Sequence, residues 1–228
     1  YWGKRIRTND VSRLIKHYGR AFSANPDPGD PAYSLDTLPQ EYPAYGNTDF
    51  RIPAYQIQLE NGSTITDLRY ISHEIFGGKP KLEGLPATYT ESGAEAETLK
   101  IELADAVAGL KVILFYSVYE KFDVITRSAC IINEGRQNFK LLRALSASID
   151  FNNSNYDMLQ LSGAWARERH IERRPLYPGS QSVESRRGAS SHQQNPFIAL
   201  LSKDANETNG EVYGINLVYS GNFIAQAE

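Results

Sequence analysis

The chain is poor in cysteine, in excess basic charge and in long apolar runs. Cys130 is the single cysteine among 228 residues, so an internal disulfide is excluded, and its apolar neighbours predict a buried strand residue. Lysine and arginine number 24 against 27 aspartates and glutamates, a formal net charge of −3, which argues against a basic nucleic-acid-binding surface. No apolar run approaches the roughly 18 residues that a membrane-spanning helix needs.

The sequence also lacks the short motifs of several enzyme classes. There is no GxSxG elbow, no GxxxxGK[ST] loop and no GxGxxG, so acyl transfer, nucleotide hydrolysis and dinucleotide binding have no sequence support. The four histidines lie far apart and show no metal-binding spacing. They are His17, His73, His170 and His192. We therefore expect no metal ion and no cofactor.

The dominant pattern is alternation of apolar and polar residues, which is typical of strands. It occurs at residues 55–60, 63–70, 98–103, 110–119, 124–133, 139–149 and 211–219. The Asn61-Gly62 pair between the first two segments predicts a β-hairpin. Helical spacing is confined to residues 10–18. These patterns predict an all-β fold of about seven antiparallel strands.

Two segments have the composition of long irregular loops. The first loop, residues 22–43, contains five prolines, and the second, residues 175–196, is rich in Ser, Arg, Gln and Gly. Long loops on a β scaffold are usually functional or lie at interfaces.

Both chain ends fall within apolar, strand-like segments. From the two ends we expect residues 1–228 to form one domain that is truncated at both ends and belongs to a longer protein.

Three clusters combine aromatic rings or dense hydrogen-bonding groups. Residues 40–51 predict either a sugar-contact loop or a buried turn in which Asp49 and Arg51 satisfy backbone groups. Residues 163–170 place Trp165 among charged residues. This pattern predicts either a stacking platform for a ligand or a lid over the core edge. Residues 185–197 are dense in side-chain donors, which suits an interface or domain-packing loop.

These three clusters, together with residues 210–214 and 219–223, resemble the amino-terminal domain of bacterial α-galactosidases of glycoside hydrolase family 36. The resemblance covers nearly the whole chain. It implies a β-supersandwich of two large antiparallel sheets face to face, followed in the intact enzyme by a (β/α)-barrel catalytic domain after residue 228. It also implies retaining hydrolysis of terminal α-galactosides such as melibiose and raffinose, with both catalytic aspartates in the barrel. No catalytic residue is therefore assigned in this chain.

The resemblance also implies a substrate contact and partners. Trp165 occupies the position of a tryptophan that approaches the galactose site in relatives, so we assign it to substrate binding. Relatives can carry an acidic residue where this chain has Gly19, so a sugar contact there is lost or supplied otherwise. Relatives are often tetramers, and residues 25–30 are the candidate loop reaching a neighbouring active site. We expect a cytoplasmic homotetramer that binds α-galactoside sugars and packs on its own barrel.

Two alternatives stay open at this point. A stand-alone carbohydrate-binding β-sandwich would have natural chain ends and measurable sugar affinity. An aldose epimerase shares the supersandwich architecture but would need two histidines and a glutamate converging in one cleft, which no sequence feature supports. Likeness of fold alone is weak support for either activity.

Overall fold

The computed structural model describes residues 29–35, 38–46, 49–151 and 153–228, and every structural statement below concerns these residues. The predicted helix at residues 10–18, Gly19 and residues 25–28 of the candidate loop lie outside them. Twelve strands occur in the described part of the chain. They are β1 (Tyr55–Gln58), β2 (Arg69–Gly77), β3 (Glu97–Asp105), β4 (Leu110–Tyr119), β5 (Val124–Asn133), β6 (Lys140–Ala144), β7 (Tyr156–Ala164), β8 (Arg167–Pro175), β9 (Gln181–Ser185), β10 (Gln194–Ser202), β11 (Val212–Asn216) and β12 (Phe223–Ala227).

The strands form four sheets, and every pairing between strands is antiparallel. Their orders are β1-β6, β2-β3-β4-β5, β11-β10-β7-β8 and β12-β9. The predicted all-β, antiparallel fold class is confirmed. The described residues divide into two compact units, one within the ranges 29–79 and 90–150 and the other within the ranges 80–89 and 151–228. In the described residues, no helix is long and apolar enough to span a membrane.

The core of the first unit lies under the middle of the four-stranded sheet β2-β3-β4-β5. Alternate residues of β4, namely Leu110, Val112 and Leu114, are fully buried. Ile101 and Leu103 of β3 pack against this cluster, on the face that their alternation predicted. The predicted strands at residues 98–103, 110–119 and 124–133 correspond to β3, β4 and β5.

The hairpin predicted around Asn61-Gly62 is wrong, although the turn itself forms. Gly62 has φ of 84°, and its N–H donates to the Leu59 carbonyl at 2.9 Å. Strand β1 pairs with β6, with Tyr55 opposite Ala144, while β2 begins only at Arg69 and pairs with β3. Tyr55 and Ile57 of β1 are buried in the core. The pairing of β1 therefore depends on which strand allows this burial, and a local turn signal does not specify that strand.

A buried arginine ties two irregular segments to the sheet of the first unit. The Arg127 side chain is 8% exposed and lies between the Tyr42 and Tyr116 rings, 5.1 Å from each centroid. It donates to the Tyr116 hydroxyl at 2.8 Å and to the carbonyls of Glu41 and Ser146. Burial lowers the pKa of Arg127, an effect that nearby Glu41 opposes. Burial raises the pKa of the Tyr42 hydroxyl to about 12, and this hydroxyl donates to the Leu145 carbonyl at 2.7 Å.

We predict that Arg127→Ala lowers the free energy of unfolding of the chain by about 3 kcal/mol. The change removes a buried cation and leaves the Glu41 and Ser146 carbonyls without this donor. Arg136, exposed in the turn after β5, provides the control Arg136→Ala, which should cost less than about 0.5 kcal/mol. Denaturant unfolding of the two variants measures the difference. Equal losses of unfolding free energy would contradict the stabilising role of the Arg127 hydrogen bonds.

Cys130 is exposed, so its predicted burial is wrong. It lies on β5, an edge strand of its sheet, opposite Ile113 of β4. The neighbouring Ala129 and Ile131 are the β5 residues that pack on the core cluster. Because successive strand residues face opposite sides of a sheet, Cys130 points away from that cluster.

We predict that a thiol reagent modifies Cys130 in the native chain, because the thiol is accessible without unfolding. Cys130→Ala should change the free energy of unfolding by less than about 0.5 kcal/mol, as for other surface substitutions. Rates of labelling with and without denaturant measure accessibility. Labelling that requires unfolding would contradict the exposed position.

The second unit is built on the sheet β11-β10-β7-β8. Its core joins Met158 of β7 and Ile198 and Leu200 of β10 to Val183 of β9 and Phe223 of β12. Part of the segment predicted as a long loop, residues 175–196, is therefore strand, since it contains β9 and the start of β10. Strand β8 was not predicted because it is an edge strand with almost every residue exposed, and its arginines and glutamates break the alternation.

Candidate functional site at the hairpin of β7 and β8

Trp165 lies at the tip of the hairpin that joins β7 to β8. Ala164 pairs with Arg167 across the two strands, so Trp165 and Ala166 form a two-residue turn. The Trp165 side chain is 91% exposed. The Ala166 N–H donates to the Glu168 carboxylate at 3.0 Å. Of the two alternatives for Trp165, the lid over the core edge is wrong, since the indole covers none of the described core.

A bulge next to the tip requires glycine at position 163. The register shifts between Ser162 and Ala164, and a Cβ at Gly163 would lie 2.2 Å from the Arg167 carbonyl oxygen and 3.0 Å from Glu168 Cα. Both contacts are with backbone atoms, which cannot rotate away. Ala166 and Arg169 have φ of 60° and 58°, a left-handed conformation that is unfavourable for residues with a side chain.

The structure brings together three segments that carried the resemblance. The Gly163 N–H donates to the Gln193 carbonyl at 3.2 Å, and the Arg169 N–H to the His192 carbonyl at 3.4 Å. These bonds join the hairpin to residues 186–193, which we call the anchor loop. The anchor loop in turn donates hydrogen bonds to the segment 219–222, from the Gly188 N–H to the Asn222 side-chain oxygen and from the Ser190 N–H to the Ser220 carbonyl. The candidate site therefore consists of Trp165 on the hairpin, supported by the anchor loop and residues 219–222.

Charged residues follow Trp165 along the hairpin, and their side chains are exposed. Arg167, Glu168, Arg169 and His170 are all exposed. In the anchor loop, Arg186 pairs with Glu184 at 3.0 Å, with the arginine side chain 80% exposed, so this pair adds little stability. An exposed aromatic face among hydrogen-bonding side chains is the composition of a surface that stacks on a sugar ring.

In the cluster at residues 40–51, Asp49 and Arg51 have a structural role. Asp49 is 3% exposed and accepts from Arg51 Nε at 2.8 Å and from its N–H at 3.2 Å. The other Arg51 nitrogens reach the carbonyls of Leu35 and Leu38 and the Asp150 carboxylate. The pair thus satisfies backbone groups, as the structural alternative for this cluster predicted.

No metal centre forms in the part of the chain that the structure describes, since no three His, Cys, Asp or Glu side chains converge there as ligands. No pattern in the sequence indicated that Asn222 bonds the anchor loop or that Gly163 lies at a bulge. Both lie in strings that matched the resemblance, but their roles depend on contacts across long sequence separations.

Residues 1–228 match the glycosyl hydrolase family 36 N-terminal domain over their whole length. The chain belongs to this family. It is 64% identical over 228 residues to the α-galactosidase AgaA of Geobacillus stearothermophilus, covering 100% of this chain and 31% of that protein. It is 38% identical over 229 residues to the α-galactosidase Mel36A of Lactobacillus acidophilus, with 100% and 31% covered. The chain thus spans about a third of the length of these curated relatives.

Solved structures of family members have the same fold. A variant of AgaA in complex with raffinose superposes with a TM-score of 0.95 at 65% identity, covering 99% of this chain and 32% of that one. The α-galactosidase of Lactobacillus brevis superposes with a TM-score of 0.94 at 41% identity, covering 99% and 31%. Another AgaA variant was solved in complex with stachyose. The homologues are α-galactosidases, and this chain corresponds to their family 36 N-terminal domain.

We predict that Gly163→Ala destabilises the second unit by about 1 to 3 kcal/mol. The new Cβ would overlap the Arg167 carbonyl oxygen and force the backbones of β7 and β8 apart at the bulge. Gly214→Ala is the matched control: Gly214 also lies in a strand of this unit, and its Cβ would meet only Phe197 at an ordinary 3.6 Å. Thermal unfolding of both variants measures the effect. Similar melting temperatures would show that the bulge tolerates a side chain.

Proposed function

We propose that this chain is the non-catalytic amino-terminal domain of a retaining α-galactosidase and that it forms part of the wall of the substrate site. The intact enzyme hydrolyses terminal α-galactosides of the melibiose and raffinose type. In this proposal a catalytic barrel follows residue 228 and supplies both aspartates, one as nucleophile and one as acid and base. The two large facing sheets of a β-supersandwich are part of the same proposal.

The observation that carries the proposal is the exposure of Trp165. The ring is 91% exposed at the end of a hairpin whose backbone is fixed by hydrogen bonds to the anchor loop. A large flat aromatic group held on a rigid support offers an apolar face to the C–H side of a sugar ring and one N–H donor to a hydroxyl. A relative at 65% identity was solved with raffinose, which supports a galactoside as the ligand.

The proposal extends to assembly and location. The intact enzyme forms a homotetramer in the cytoplasm, and its amino-terminal domains help to form neighbouring active sites. The loop at residues 25–30 is our candidate for that contact.

We predict that Trp165→Ala in the full-length enzyme lowers kcat/KM for raffinose about tenfold to a hundredfold. That range corresponds to a lost stacking contact of about 1 to 3 kcal/mol. Because the tip is exposed, the melting temperature should stay within about 2 °C of the parent. Steady-state kinetics and thermal unfolding on the same preparation measure both quantities.

Two further variants separate stacking from a general effect of removing an aromatic ring. Trp165→Phe keeps a flat face and should recover most of kcat/KM. Tyr177→Ala removes another exposed ring, 66% exposed, from the same unit outside the hairpin and the anchor loop, and should leave kcat/KM unchanged. A well-folded Trp165→Ala enzyme with unchanged kcat/KM would remove Trp165 from the substrate site.

A further inference from the structure

We propose that Asn222 is a positioning residue for Trp165. Acting through the anchor loop, its side chain holds the hairpin of β7 and β8 in the conformation that presents the indole. This inference rests on the proposed function, because it takes Trp165 as a substrate contact. It concerns a residue distant in sequence from the tip.

The hairpin needs support from outside, because its own backbone is strained. Ala166 and Arg169 both have positive φ, a conformation that costs a residue with a side chain about 1 to 2 kcal/mol. Asp123 is the one other non-glycine residue with positive φ in the described part of the chain. Strained residues persist where surrounding contacts over-determine the backbone. Two of them within four residues of Trp165 indicate that the contacts of the anchor loop maintain the tip.

The anchor loop supplies that support through its backbone carbonyls. Gln193 accepts from the Gly163 N–H on one side of the tip, and His192 accepts from the Arg169 N–H on the other. His192 and Gln193 themselves form a tight turn, closed by reciprocal backbone hydrogen bonds between Ser191 and Gln194 at 3.2 and 3.1 Å. Arg187 donates to the Gln193 side-chain oxygen. The position of this turn therefore sets the position of both hairpin strands.

Asn222 anchors the opposite end of the same loop. Its side-chain oxygen accepts from the Gly188 N–H at 2.7 Å, and the Gly188 backbone has φ of 86°. Beside it, the Ser190 N–H donates to the Ser220 carbonyl at 2.8 Å. The Ser185 hydroxyl donates to the Ala189 carbonyl at 2.6 Å, but Ser185 is 5% exposed, so its removal would disturb the core. Asn222 is exposed, so its amide can be removed without creating a cavity.

The test compares three variants in the full-length enzyme. Asn222→Ala removes the acceptor for the Gly188 N–H, while Asn222→Asp keeps an oxygen in its place. Asn206→Ala is the matched control, because Asn206 accepts in the same way from the Thr208 N–H at 2.9 Å. Its loop is joined to β8 through Arg173, whereas the Asn206 side chain bonds within its own loop. We expect Asn222→Ala to raise KM for raffinose about threefold to tenfold with kcat within about twofold. Asn222→Asp and Asn206→Ala should behave like the parent.

Hydrogen exchange of the peptide covering residues 160–170 gives a readout that does not depend on activity. We expect faster exchange in Asn222→Ala and parent-like exchange in Asn222→Asp and Asn206→Ala, since looser anchoring increases local opening. Unchanged exchange in Asn222→Ala would overturn the positioning role.

A double variant tests whether Asn222 acts through Trp165. If it does, Asn222→Ala should raise KM in the parent but should have no further effect when Trp165→Ala is already present. Additive losses would overturn the proposal, because they would show that Asn222 affects binding independently of the indole. If exchange increases in Asn222→Ala while Trp165→Ala itself leaves kcat/KM unchanged, the substrate role of Trp165 fails and the mechanical link between Asn222 and the hairpin stands.

Discussion

Arginine side chains hold the irregular segments to the rest of each unit by donating to their backbone carbonyls. Arg127 donates to the carbonyls of Glu41 and Ser146, and Arg51 to those of Leu35 and Leu38. In the second unit, Arg173 bonds Asp157 and also the carbonyls of Ser202, Lys203 and Ala205. The planar guanidinium has five donors in fixed directions, so one side chain can tie several turns of a loop to a strand.

At the hairpin of β7 and β8 the hydrogen bonds to the anchor loop are between backbone groups. Carbonyls of His192 and Gln193 accept from Arg169 and Gly163, which leaves the nearby charged side chains exposed. The result is a rigid support under Trp165 with few side chains committed to structure. A sugar-contact residue benefits from such support, because a ring that is already positioned loses less conformational entropy on binding.

Sequence patterns predicted the strands of the first unit better than those of the second. The predicted bounds of β4 and β5 agree with the structure, and β3 extends the predicted segment by one residue at its start and two at its end. Strand β8 lies at a sheet edge with Arg, Glu and His along it, and its sequence alone indicates no strand. Cys130 shows the opposite error: apolar neighbours predicted burial, but the thiol lies on the other face of β5 from Ala129 and Ile131.

By itself the sequence determined the all-β class, the turn at Asn61-Gly62 and, through its resemblance, membership of family 36. These features depend on local backbone preference, on period-two alternation, or on strings of neighbouring residues. Only the tertiary structure decided that β1 pairs with β6, that Asp49 and Arg51 satisfy backbone groups, and that Asn222 bonds the anchor loop. Those outcomes depend on hydrogen bonds and burial between residues as many as 99 positions apart, and no local pattern encodes which distant partner a group will meet.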